Sequence, residues 1–399
     1  MLSKKYRDML SARSVIRSLS EYAAARGKQI GYENVFDYSL GNPSVDVPKS
    51  YTDTLIRLLR EENPMTLHGY SPTLTIPAVR EAVAHNLNRR FGMNYQKEHI
   101  FMVSGAAAAI AHAVRLVAEP GDEIITFAPF FPEYHPYVDL SGARLKVVPA
   151  HTQDFQIHFE ALDAAMNEKV SAVLINTPNN PSGVVYSEVT LKRLSSYLRD
   201  KEREYGHEIY LISDEPYREI VFDGMTAPYP ANYYEKTITC YSWSKSLSVP
   251  GDRIGYVAVH PDCPGAELMI PMCGQISRGI GHNCPTAMVQ LAVAENLDVT
   301  ADMEVYETNR NLLYDELIKL GFTLVRPAGT FYIFPKALEE DAAAFCEKAK
   351  KYDLILVPGD SFGCPGHFRM AYCIDTEKVK RSIPALRRFV QEEYGDARL

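Results

Sequence analysis

Between Pro120 and Val259 six short, apolar, β-rich runs alternate with longer stretches of helical periodicity, and this alternation restricts the fold more than any other feature. The runs are DEIITFA, RLKVVPA, SAVLINTP, EIYLISDE, KTITCYS and RIGYVAV. Strands that are apolar throughout need cover on both faces, and βα units of a largely parallel sheet provide it. An α/β fold is therefore expected. Three of the runs end in polar segments, NTPNNPSG, SDEPY and SWSK. Ligands of open α/β sheets bind beyond the C-terminal strand ends, so these segments should meet in one crevice.

Upstream, HIFMVSGAAAAIAHAVRLVAEPGD reads as a strand that passes through Ser104 and Gly105 into a helix beginning near Ala106 and Ala107. Downstream, TADMEVYETNRNLLYDELIKLG predicts a long helix ending at Gly321. FTLVRPAGTFYIFPK then reads as two strands around a turn, and KVKRSIPALRRFVQEEYG as an amphipathic helix. A chain of 399 residues has room for this second domain beside the sheet.

The formal net charge of −8 argues against a general nucleic-acid binder, which needs a basic face to displace counterions. The seven cysteines include no CxxC pair, so neither a zinc site nor a redox couple is expected and no metal is assigned. No uninterrupted apolar stretch approaches a membrane span, and a cytoplasmic protein acting on small molecules is expected.

SWSKSLSVPGDRIGY places Lys245 at a strand end beside Ser242 and Ser244, with Arg253 beyond Gly251. An amine so placed can lose basicity and become a nucleophile, and an arginine can clamp a phosphate. Together they suggest a phosphorylated aldehyde, and pyridoxal phosphate additionally needs an anion for its ring nitrogen. Asp214 in SDEPY is the candidate, with an ordinary helix cap as its alternative. Tyr217 and Asn180 could bond the ring oxygen, the backbone N–H groups of Ala106 and Ala107 the phosphate, and Phe131 could stack on the ring. Turn formation, helix initiation and core packing are the respective alternatives, the last for Phe130 as well. Arg369, inside the apolar run HFRMAYC, must find an anion, either a substrate carboxylate or a structural ion pair.

Taken together, these segments resemble the class I/II aminotransferases of fold-type I pyridoxal-phosphate enzymes, nearly end to end. SWSKSLSVPGDRIGY resembles the family's S-x-S-K-x-x-x-x-x-G-x-R-x-G signature, NTPNNPSG its N-P-x-N-P-[ST]-G with threonine for the first proline, and DEPY its own tetrapeptide. The resemblance implies a three-layer α/β/α large domain over residues 46–297. It also implies a smaller α+β domain formed by residues 1–45 and 298–399. Lys245 is implied as the Schiff-base residue, Asp214, Tyr217 and Asn180 as ring contacts, and Ser242, Ser244 and Arg253 as phosphate contacts. Gly41 in LGNPSVDVP and Arg369 are implied to meet the substrate carboxylate. Tyr70 in GYSP is implied to reach the phosphate of a neighbouring subunit, and hence a homodimer with sites at the interface. The implied activity is a ping-pong transamination between an L-amino acid and a 2-oxo acid, with aspartate and 2-oxoglutarate the first expectation. A β-eliminating carbon–sulfur lyase shares all of these motifs and is the alternative. No arginine in CGQISRGIGHNCP is matched to an acidic substrate side chain.

Overall fold

The computed structural model of the chain describes residues 2–11 and 15–395. The chain's first described helices are α1 (Lys4–Ser11) and α2 (Val15–Ile30), well ahead of the central sheet. Its strands are β1 (Ile100–Val103), β2 (Glu123–Phe127), β3 (Arg144–Val148), β4 (Val170–Asn176), β5 (Tyr210–Asp214), β6 (Thr237–Ser242) and β7 (Gly255–Val259). They lie in the order β1-β7-β6-β5-β4-β2-β3. Strands β2 to β6 are mutually parallel. β7 is antiparallel to both β6 and β1. Residues 243–254 carry the chain from β6 to β7 without a crossover α-helix, so it returns antiparallel.

Helices cover both faces of the sheet. Ile124, Leu174 and Ile212 share a core with Ala109, Ala113 and Val114 of α3 (Ala106–Val117). Their chain neighbours Ile125, Val173 and Leu211 share another with Leu191, Leu194 and Leu198 of α4 (Glu188–Tyr205). Adjacent strand residues point to opposite faces, so wholly apolar runs fill two cores at once. The fold is a three-layer α/β/α arrangement around a mostly parallel sheet.

A further core surrounds α5 (Glu304–Lys319), α6 (Thr376–Tyr394) and a three-stranded antiparallel sheet. Its strands are β8 (Tyr332–Ile333), β9 (Val357–Pro358) and β10 (Phe368–Ala371), in the order β9-β10-β8. Phe36 and Tyr38 join this core from the N-terminal side, and Tyr38 shares a hydrogen bond of 2.6 Å with Ser382. Asp375 caps α6 by accepting from the Lys378 N–H.

The expectation of two strands in FTLVRPAGTFYIFPK is corrected, since only Tyr332–Ile333 is a strand. Pro327 has no N–H to give a ladder, and Thr330 takes a left-handed φ of 63°. The first half therefore forms no continuous ladder and is held by scattered backbone bonds, among them Lys336 N–H to Thr323 O at 2.9 Å, Phe222 N–H to Ala328 O at 3.0 Å and an isolated bridge between Gly329 and Val221.

Candidate active site

A cavity of about 290 Å³ lies at the C-terminal ends of β4, β5 and β6 and the N-terminus of α3. Gly41, Ala106, Ala107, Phe131, Asn180, Asp214, Tyr217, Ser242, Ser244, Lys245, Arg253 and Arg369 all line it. The polar strand endings meet where the topology of an open sheet requires.

One end of the cavity is built for an anion. α3 starts at Ala106 after Gly105, whose φ of +91° lets the chain turn in from β1. A helix leaves its first N–H groups without intrahelical partners, and Ala106 and Ala107 put no side chain over theirs. Arg253, itself at a left-handed φ of 53°, donates to Pro250 O at 2.9 Å and to Ser104 O at 3.1 Å. A Cβ on Gly105 would come within 2.5 Å of this guanidinium, so glycine makes room for the arginine as well as for the turn. Ser242, buried at the end of β6, and Ser244 line the same cavity.

Asp214 ends β5 with its side chain 4% exposed. Its Oδ2 accepts from Tyr134 Oη at 2.6 Å and its backbone oxygen from Asn176 Nδ2 at 2.9 Å. Oδ1 has no partner among the described residues. Burial pushes the carboxyl up to about 7, against the hydrogen bond from Tyr134. A protonated ring nitrogen would complete this carboxylate and stabilise its charge.

Lys245 donates from Nζ to Gly41 O at 2.8 Å, and its amine lies 5.4 Å from the centre of the Phe331 ring. Burial lowers its basicity to about 8, and the positive charges of Arg253 and Arg369 act in the same direction. A substantial fraction of the amine is then neutral, and so nucleophilic, near neutral pH.

Arg369 of β10 is 2% exposed and has no carboxylate partner among its hydrogen bonds. Nη1 donates to Asn180 Oδ1 at 3.1 Å, Nη2 to Ser39 O at 2.5 Å, and Nε to nothing. The guanidinium is flanked by the rings of Tyr332 at 4.5 Å and Phe362 at 4.9 Å. Burial lowers its pKa. A fully buried arginine without an anion is unfavourable, and a ligand carboxylate would relieve it. Tyr217 hydroxyl lies 3.2 Å from that of Tyr332, which sits directly against Gly41.

Tyr70 stands apart. Its side chain is 100% exposed and lines a separate cleft with Ser71 and Arg278, away from the cavity of its own chain. Phe130 is buried in the core of the sheet, whereas Phe131 is partly exposed on the cavity wall.

Sequence reasoning missed Tyr134, Asn176 and Tyr332. Asn176 and Tyr332 line the cavity, and Tyr134 lies behind Asp214. The asparagine was findable, because it ends the same strand that leads into Asn180. Tyr134 and Tyr332 reach the site only through tertiary packing, and no local pattern marks them.

Residues 33–386 match the family model described as aminotransferase class I and II. A probable aspartate/prephenate aminotransferase of Thermus aquaticus is 30% identical over 364 residues, spanning 88% of this chain and 89% of that protein. A similar protein of Aquifex aeolicus, also described as a probable aspartate/prephenate aminotransferase, is 29% identical over 90% of this chain and 92% of its own length. Among solved structures, an amino transferase from Eubacterium rectale is 42% identical and superposes with a TM-score of 0.95, covering 99% of this chain and 100% of that one. With the geometry of the cavity in agreement, the chain belongs to the aminotransferase class I and II family.

Proposed function

We propose that the protein is a pyridoxal-phosphate-dependent aminotransferase that moves an amino group from an L-amino acid to a 2-oxo acid such as 2-oxoglutarate, in two successive half-reactions. The reading is carried by one observation: Lys245, the unpartnered Oδ1 of Asp214 and the anion-less Arg369 converge on a single cavity. These groups fit the cofactor's aldehyde, its protonated ring nitrogen and a substrate carboxylate in turn. The N–H groups of Ala106 and Ala107, the hydroxyls of Ser242 and Ser244, and Arg253 would hold the phosphate. Asn180 and Tyr217 would hold the ring hydroxyl, and Phe131 would cover the ring face.

The bound cofactor supplies a carbonyl for the amino group and a ring that takes up the electron pair released at the substrate α-carbon. Arg369 and Gly41 would orient the substrate carboxylate, which fixes the α-hydrogen relative to Lys245. Lys245 would be the base that takes up and returns that proton. Its lowered basicity suits the task, since a base near 8 both accepts and returns a proton readily. Asp214 would pair with the ring nitrogen through its free Oδ1 and keep it protonated.

The wholly exposed ring of Tyr70 supports a homodimer in which each chain lends this hydroxyl to the phosphate site of the other. We likewise propose that residues 46–297 form one domain around the large sheet, and that residues 1–45 and 298–399 form a second. Packing of Phe36 and Tyr38 against the C-terminal core supports that division.

The test is the absorption spectrum of the purified, cofactor-loaded protein before and after single amino acids are added without any oxo acid. The proposal expects a yellow band that bleaches once, stoichiometrically, and returns when 2-oxoglutarate is added. A band that persists while pyruvate accumulates from a cysteine conjugate would instead establish a carbon–sulfur lyase. Lys245→Ala should lose turnover by about 10³-fold or more while still binding the cofactor.

A further inference from the structure

Strand β4 ends at Asn176 and β5 at Asp214, and these two residues stand opposite each other in the parallel ladder. Asn176 is 4% exposed and lines the cavity. Its one carboxamide meets two residues of the site. Nδ2 donates to Asp214 O at 2.9 Å and, more distantly, to Oδ2 of the same residue at 3.4 Å. Oδ1 accepts the backbone N–H of Asn180 at 2.7 Å. A carboxamide donates only through nitrogen and accepts only through oxygen, so these partners admit a single orientation of the group.

The neighbouring turn residue is anchored elsewhere. Asn179 N–H bonds Val184 O at 2.9 Å, and Asn179 Oδ1 accepts from the N–H and the hydroxyl of Ser182 at 3.0 and 2.7 Å. The N–H of Asn180 meets Asn176 alone among the described residues. Arg369 Nη1 donates to Asn180 Oδ1 at 3.1 Å, so Nδ2 is the group that Asn180 has left for a ligand. The aim of that nitrogen therefore depends on two fixings, Arg369 on the side chain and Asn176 on the backbone.

We propose that Asn176 is a positioning residue: its carboxamide holds the Asp214 carboxylate and the Asn180 amide at a fixed separation, and so sets how firmly the site grips a pyridine nitrogen and a hydroxyl on the ring carbon meta to it. The proposal rests on the aminotransferase reading. Without the carboxamide, water entering the cavity can satisfy Asp214 O and Asn180 N–H separately, but it does not tie one to the other. Both ligand-binding groups then have to be ordered when the ring arrives, and that ordering weakens binding.

The test measures binding of pyridoxamine phosphate to the cofactor-free full chain by calorimetry, with inorganic phosphate as the second probe. Pyridoxamine phosphate carries the ring nitrogen, the hydroxyl and the phosphate but no aldehyde for Lys245, so its affinity reports the hold on the ring without turnover. Asn176→Ala should weaken pyridoxamine phosphate by about tenfold or more and inorganic phosphate by less than about twofold. In an Asn180→Ala background the same replacement should cost at least about threefold less, because one of the two groups it aligns is gone. If Asn176→Ala does not fold, Asn176→Ser, too short to bridge but able to hold a water at the buried wall, should show the same contrast between the probes. Equal weakening of both probes, or a loss of the same size in both backgrounds, would make Asn176 a part of the fold only and overturn the proposal. Wild-type protein that holds pyridoxamine phosphate no more tightly than inorganic phosphate would defeat the aminotransferase reading itself, and the proposal with it.

Discussion

Tyr134 donates its hydroxyl to Oδ2 of Asp214 at 2.6 Å and leaves Oδ1 of the same carboxylate without a partner. The tyrosine thus fixes the plane of the carboxylate and favours its charged form, while burial drives the carboxyl up to about 7. Removing the donor should let burial win. For Tyr134→Phe we expect the acid limb of the kcat/KM profile to move to higher pH by about one unit, because a hydrogen bond to a charged group contributes roughly 1.5–3 kcal/mol. Turnover well above that limb should fall less than turnover near it. A profile of unchanged shape, scaled down uniformly, would mean that Tyr134 only fills space.

The same carboxyl predicts how the cofactor-free chain responds to pH. Its folded value of about 7 lies above the ordinary 3.8, so the native state holds a proton that the unfolded chain has already lost. The associated stability is fully present below the unfolded value and is lost as pH rises through the folded one. The whole effect is about 4 kcal/mol, of which about 3 kcal/mol falls between pH 5 and pH 8. Buried His112, whose basicity burial lowers to about 4, acts in the opposite direction, so the carboxyl's share is read by difference: between pH 5 and pH 8 the apo-protein in urea should lose about 3 kcal/mol relative to Asp214→Asn.

Arg369 predicts a conflict between stability and function. The arginine is buried with an unpartnered Nε and no carboxylate, so replacing it with a packed apolar side chain removes an uncompensated charge. We expect Arg369→Met to leave the melting temperature of the apo-protein unchanged or raised. The same variant should lose roughly 10²–10³-fold in kcat/KM, mostly through KM, as a buried charge-assisted carboxylate contact disappears. A strongly destabilised variant would show instead that the guanidinium serves the fold through Asn180 and Ser39.

Much of this was legible because its determinants are local. The six apolar runs became β2 to β7, since each satisfies a strand's need for cover on two faces within its own sequence. Lys245, Asp214 and Asn180 could be located because each sits at or just beyond a strand end. Tyr332 could not be, because its hydroxyl meets Tyr217, 115 residues away, only through the docking of the C-terminal core onto the sheet. The missing strand in FTLVRPAGTFYIFPK had the same origin. Its composition favours a strand, but Pro327 offers no N–H and Thr330 is left-handed, so its pairing is limited to an isolated bridge between Gly329 and Val221.

Gly41 and Tyr332 supply a prediction that separates local from long-range causes. A Cβ built on Gly41 would overlap the Tyr332 hydroxyl, so this glycine is required by a side chain from another part of the fold and not by its own backbone angles. Gly41 O also receives the Lys245 amine at 2.8 Å, and any shift of this backbone moves the lysine. Gly41→Ala should therefore reduce kcat, by about tenfold to 100-fold, since misplacing a reacting group by around 1 Å costs on that order. Tyr332→Phe removes the atom that the new methyl would strike. The double variant should recover much of the activity lost by Gly41→Ala relative to Tyr332→Phe alone, giving a coupling that two independent sites would not show. Strictly additive losses would indicate that the alanine acts only by crowding the substrate carboxylate and not through Tyr332.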